Sequence, residues 1–274
     1  MLKRNLAVIY YEFIKLTKIW ISYPIIFLFF TIFPLIWVLP FIFQGKALVG
    51  SFSSLPFKEL TGSGNYLAFL LLGSIVSTYV FSGLWGVGNS LREETYWGTL
   101  EYLILSPTNP LVILIGKTLT EFVYATITVI IQALIIILIL GVKITFVKIL
   151  PIILIILLLL VGFYGFAIAF AGFTLLLKEV EGWVRTLEWI FYLFSPIRYP
   201  VEINPITKFI ASFIPLTYAL VAIRAIILLN KNIYSLSKIL LILGIIDIIL
   251  IVLAIFLFRF LEKKTRELGT IGGY

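Results

Sequence analysis

Leu91-Arg-Glu-Glu-Thr-Tyr-Trp-Gly-Thr-Leu-Glu-Tyr-Leu-Ile-Leu-Ser-Pro107 sets Arg92, Glu93, Glu94 and Glu101 among large apolar side chains. It is too charged to cross a bilayer, where each charge near the centre costs about 2.5–3.5 kcal/mol, and too apolar for a free loop. Read as a short helix, it gathers Glu93, Glu94, Trp97 and Glu101 near one face and leaves Tyr96, Leu100 and Leu103 to hold it against a surface. Ser106-Pro107 and Asn109-Pro110 then break the backbone. On either side the chain turns uncharged, for 32 residues between Glu59 and Arg92 and for 21 between Glu121 and Lys143. An apolar helix needs about 20 residues to cross, so the segment joins two crossings.

The same measure finds 27 uncharged residues between Lys18 and Lys46 and 29 between Lys148 and Lys178. Between Lys238 and Arg259 only Asp247, the sole Asp of the chain, interrupts the run. The whole sequence agrees: of 274 residues, 62% are hydrophobic and 12% charged, against about 45–50% and about 25% in soluble domains. The net charge of +8 fits loops and helix ends that orient membrane helices and meet anionic headgroups, so no nucleic-acid partner is expected. With no Cys and no His, disulfides, thiolate nucleophiles, imidazole or thiolate metal sites and His-based acid–base pairs are excluded.

Trp183 to Ile197 is a shorter apolar piece. It carries Arg185 and Glu188 and stops at Pro196, Pro200 and Pro205; Phe209 to Leu229 follows, with Pro215 inside and Arg224 near its end. The two pieces read either as one crossing plus a re-entrant element or as two crossings. Lys3, Arg4, Lys15 and Lys18 at one end and Arg259, Lys263, Lys264 and Arg266 at the other place both termini in the cytoplasm and favour an even count. The expectation is one domain over 1–274 with six spans, approximately 20–43, 66–90, 111–141, 149–177, 183–197 and 239–259, in an all-α integral membrane protein. Met1 to Lys18 lacks the apolar core of a signal peptide. Leu2, Leu6, Ile9, Phe13 and Leu16 recur at spacings of four and three, as in a helix lying along the interface.

Within the spans, Ser74, Thr78 and Ser82 share one helical face, with Ser77 adjacent and Asn89 further along. Small hydroxyls of this kind line a pathway or let helices pack closely, and Gly73, Gly83, Gly86 and Gly88 favour packing. Four intramembrane charges need partners: Glu121, Arg185 and Glu188, expected to pair locally, and Asp247, expected to find an internal hydrogen bond or ion pair. A lone carboxylate such as Asp247 also suits a proton or cation site, which makes an ion-gradient-driven secondary transporter the alternative reading. No inverted repeat supports it. An intramembrane metalloprotease would need a His-Glu-x-x-His helix and an aspartyl protease two Asp, and the chain has neither.

The pattern Arg92, Glu93, Gly98, Thr99, Leu100, Glu101, Leu103, Ser106, Pro107, followed by Gly116-Lys117, resembles the permease subunits of ABC transporters of the type-2 exporter kind. Pro215-Leu-Thr-Tyr218 followed by Arg224 is similar to a segment that family places between its last two spans. The resemblance implies an amphipathic N-terminal helix, a cytoplasmic coupling helix between spans 2 and 3, and short re-entrant helices between spans 5 and 6. It further implies a dimer of permeases in the cell membrane whose pathway runs along the dimer interface, and two separate ATPase subunits that bind ATP and Mg and receive the coupling helix. Within this chain it implies no cofactor, metal or catalytic residue. Gly116-Lys117-Thr118 lacks the upstream glycine of a phosphate-binding loop. An aromatic content of 16% suits bulky amphipathic cargo.

Overall fold

The computed structural model describes residues 2–140, 145–174 and 181–268, and among them every regular element is helical. Residues 141 and 175–177, at the ends of the expected spans 111–141 and 149–177, and the flanking Lys143 and Lys178 lie outside the described residues. The chain opens with α1 (Leu2–Ser22) and α2 (Pro24–Val49). Pro24 ends the first helix, because the residue before a proline is pushed out of the helical region; Tyr23 has φ −123°. Trp20 to Ser22, expected at the head of the first span, therefore belong to α1.

A short α3 (Leu55–Thr61) leads to α4 (Tyr66–Ser82), which continues as a wide π-helical segment, Gly83–Gly88. Ser54 and Asn65 cap these two helices, their side-chain oxygens accepting from the Phe57 and Ala68 amides. After α5 (Ser90–Tyr96) and α6 (Leu100–Leu105) come the long helices α7 (Pro110–Leu140) and α8 (Phe146–Thr174). Then follow α9 (Glu181–Phe194), α10 (Pro205–Ala211), α11 (Pro215–Ile227) and α12 (Ser237–Leu268).

Among the described residues five stretches are long and apolar enough to cross a membrane: Pro24–Leu48, Tyr66–Gly88, Pro110–Leu138, Val147–Phe173 and Ile233–Thr265. The expected crossing at 183–197 is different. α9 has 14 residues, about 21 Å at about 1.5 Å per residue, which is short of a hydrocarbon core of about 30 Å. The stretch that passes the length test as a sixth span is instead the pair α10 and α11, bent by 98° where Pro215 starts a new helix.

Side-chain pairings fix the helix directions. Ser74 of α4 donates to the Pro34 carbonyl of α2 (3.2 Å) and Tyr66 to that of Phe41 (3.4 Å), so α2 and α4 run antiparallel. Thr78 reaches Gln132 (3.0 Å) and Ser82 reaches Glu121 (2.9 Å), so α4 and α7 are antiparallel too. A Cβ on Gly165 or Gly172 of α8 would touch the backbone of Ile251 or Phe258 of α12 at 3.4 and 3.2 Å, and one on Gly162 would overlap Asp247. These pairs ascend together, so α8 and α12 lie parallel with their backbones in close approach. Gly83 and Gly88 likewise meet Phe163 and Phe170, which makes α4 parallel to α8. The start of α2 and the end of α12 therefore share the end of the bundle that carries α5 and α6. Residues 181–236 return the chain from the end of α8 to its beginning.

Candidate functional site

The expected single helix at 91–107 is two. Gly98 takes φ +68°, a left-handed conformation that costs other L-residues about 1–2 kcal/mol, and the chain turns there between α5 and α6. Thr99 then folds back: its hydroxyl donates to the Glu94 carbonyl (3.2 Å) and makes a short bond to the Glu94 carboxylate. Leu100 is buried beside Leu91 and Leu114. Gly98, Thr99 and Leu100 thus each have a local task, and Glu101 is left on the exposed side.

Glu94 does not share that exposed face. Its side chain is 2% accessible and pairs with Lys117 of α7 at 2.7 Å and with Lys15 of α1 at 3.0 Å. Lys117 also donates to the Ser90 carbonyl at 3.1 Å. Burial works to push the Glu94 carboxyl up, but the Lys117 ammonium, hydrogen bonds from Lys117 and Thr99, and the charge of Lys15 overcome it and hold the carboxyl down at about 2. Lys15 is likewise raised, since Glu12 and Glu94 outweigh its own desolvation. Burial pushes the half-buried Glu93 carboxyl up. Gly116 completes the joint, since a Cβ there would meet Glu12 at 2.9 Å and the Ile9 backbone at 3.2 Å. Arg4 donates to the Pro107 carbonyl at 3.0 Å. The α5–α6 segment is thereby clamped to α1 and α7 from its inner side.

Its outer side is open. Trp97 is 51%, Tyr96 64%, Tyr102 77% and Leu105 82% exposed. Arg92 stacks on Tyr96 at 4.6 Å, Leu103 is half-buried, and Ser106 turns the chain out of α6 with ψ 148° ahead of the exposed Pro107.

The hydroxyl row on α4 faces inward. Ser74, Ser77 and Thr78 are buried, with their hydroxyls bonded to Pro34, to the α4 backbone and to Gln132. Ser82 donates to Glu121, which is buried over Gly86, and Asn89 is buried with its side-chain oxygen unpartnered. Within one chain this row serves helix packing between α2, α4 and α7. The expected Arg185–Glu188 pair does not form: Arg185 is exposed, and Glu188 accepts instead from the Trp85 indole at 3.1 Å, because the wide turn of the π-helical segment presents that ring to α9. Among the described residues Asp247 finds neither the hydrogen bond nor the ion pair expected of it: it is 2% exposed against Gly162, and neither oxygen has a partner there.

Lys15 was not singled out by sequence reasoning, and Lys117 only as part of a Gly-Lys pair. The available signal was cost, since a lysine seven residues into an apolar helix must find an anion.

An all-helical bundle of apolar, crossing-length helices, with one amphipathic segment clamped at the end shared by the first and last spans, defines a multi-span membrane protein. A family model described as ABC-2 type transporter matches residues 6–228, from α1 through α11, and the chain belongs to that family. It is an ABC transporter permease, acting in transmembrane transport. No curated protein matches it.

Proposed function

We propose that the chain is the pathway-forming subunit of an exporter driven by ATP hydrolysis on a separate subunit, and that Arg92 to Pro107 is the coupling element docking into that subunit. The observation that carries this is the two-sidedness of α5–α6. An exposed aromatic surface at Tyr96, Trp97 and Tyr102 has the composition of a protein interface, while the buried Glu94 ties it to α1 and α7, so force applied outside reaches two helices at once. ATP is cytoplasmic, which puts α5–α6 there, and the start of α2 and the end of α12 with it. In this reading the protein sits in the cell membrane, two copies form the pathway at their interface, and two ATPase subunits hold ATP and Mg.

Six crossings follow if α9 is the fifth. Glu188 meets Trp85, and the Ile197 carbonyl lies against Gly73, so 188–197 runs antiparallel to α4 along most of its length. α10 and α11 then form the re-entrant pair at the far end.

Glu101→Lys tests the docking role. The side chain is exposed, so the variant should insert and melt like the parent, while a reversed charge at the contact weakens binding of the ATPase subunit or its response to substrate. Unchanged co-purification and unchanged ATPase stimulation would refute the assignment. One observation favours a second reading, secondary transport driven by an ion gradient: the unpartnered Asp247.

A further inference from the structure

At the end of the bundle away from α5–α6, Arg224 of α11 is 6% exposed and turns its guanidinium on three carbonyls. Nη1 donates to Pro196, and Nη2 donates to Phe69 at 2.7 Å and to Ile197 at 3.1 Å. The guanidinium also stacks 3.4 Å from the Phe69 ring centre. Gly73 provides the room, since any Cβ there would overlap both the Ile197 carbonyl and Arg224. Arg224 thus pins residues 196–197 against α4, and the next residue is Arg198.

The Arg198 guanidinium is held between two rings, 3.4 Å from Tyr192 of α9 and 3.6 Å from Phe41 of α2. Its Nε and Nη2, the parallel donors of one edge of the fork, are shielded from solvent and find no acceptor among the described residues. Among the described residues neither arginine makes an ion pair, and Glu202, four residues on from Arg198, is exposed. Ring faces orient a guanidinium but leave its in-plane N–H groups unmet, and a buried unmet donor is costly. The geometry that meets both donors at once is a pair of oxygens on one phosphate.

We propose that Arg198 is the receiving group for a phosphate, carried by a lipid headgroup at that end of the bundle or arriving as a free anion. The free edge is shielded from solvent in this conformation, so filling it requires the groups around it to give way. Only its location outside the cytoplasm rests on the orientation proposed above. The binding itself is read on the purified chain without an ATPase subunit and fails or succeeds independently of that reading.

The test is the thermal melt of the full chain in neutral detergent, followed by tryptophan fluorescence. Dihexanoyl phosphatidylglycerol, dihexanoylglycerol, which lacks the phosphate, and inorganic phosphate are titrated in turn. The parent should be stabilised saturably by phosphatidylglycerol beyond any effect of dihexanoylglycerol, and Arg198→Gln should weaken that response by about tenfold or more. Arg198→Lys, which keeps the charge without the fork, should fall between them and covers the case in which the glutamine variant does not fold. A purely structural Arg198 would instead lower the melting point in both variants and leave the ligand response alone. Competition by inorganic phosphate assigns a free anion, and its failure to compete assigns the headgroup. Absence of a saturable response in the parent, or equal responses in the parent and Arg198→Gln, overturns the proposal.

Discussion

Replacing Glu94 by Gln keeps the shape of the side chain and removes the charge that Lys117 and Lys15 share. The Glu94 carboxyl drops from an ordinary 4.5 to about 2 in the folded chain. At about 1.36 kcal/mol per pH unit this is about 3 kcal/mol of folded-state stability at neutral pH. Its sign with pH is definite. A depressed acid stabilises fully above its unfolded value and loses that contribution as pH falls, here between about 5 and about 2. At pH 7 Glu94→Gln should melt lower by about 6–12 °C, using about 2–4 °C per kcal/mol for a chain of this size. Below about pH 4 the gap to the parent should close, because the parent is then losing what the variant never had. Lys117→Met alone should be at least as damaging, about 3–5 kcal/mol, since it takes the closer of two ammonium partners from a buried carboxylate and leaves it Lys15 alone, and adding Glu94→Gln to it should recover part of the loss. The assay is tryptophan-fluorescence melting of detergent-solubilised protein across pH 3–8. A Glu94→Gln variant that melts with the parent at pH 7 and shows the same acid limb would refute the clamp.

Gly98→Ala meets no neighbour within 4 Å, so its whole effect should come from the left-handed backbone, about 1–2 kcal/mol at the α5–α6 turn. The melt should fall by about 2–8 °C on the same scale, while stimulation of the ATPase subunit should fall several-fold. Asp247→Asn should retain ATP-dependent transport in reconstituted vesicles, and collapsing proton or sodium gradients should change little. Transport that needs a gradient, ignores ATP and disappears in this variant would favour the ion-driven reading.

What the sequence made legible was governed by cost. A charge is so unfavourable in hydrocarbon that gaps between charges located the five long helices, and the proline breaks at Pro200, Pro205 and Pro215 located the ends of the irregular region. The direction in which the chain leaves those breaks was not legible. It follows from Gly162, Gly165 and Gly172 lying against Asp247, Ile251 and Phe258, a pairing between residues about 85 apart in the chain that no local period encodes. The hydroxyls of Ser74 and Thr78 were ambiguous for a different reason: pathway lining and close packing use the same small side chains, and only their bonds to Pro34 and Gln132 separate the two within one chain.

The same cost argument, turned around, says that an expensive residue inside a span must have found a partner. Lys117 found Glu94 and Glu121 found Ser82, each across a helix boundary. Glu188 found Trp85 and left Arg185 at the surface. Asp247 found none among the described residues, although it lies in a close contact of α8 with α12, where the absence of a Gly162 side chain admits it. A packing role alone would be served as well by an apolar residue of the same size. The charge at Asp247 is therefore what the two readings divide on: an ion-driven carrier would need it, and an ATP-driven permease would not, which is why Asp247→Asn, keeping the shape and removing the charge, separates them.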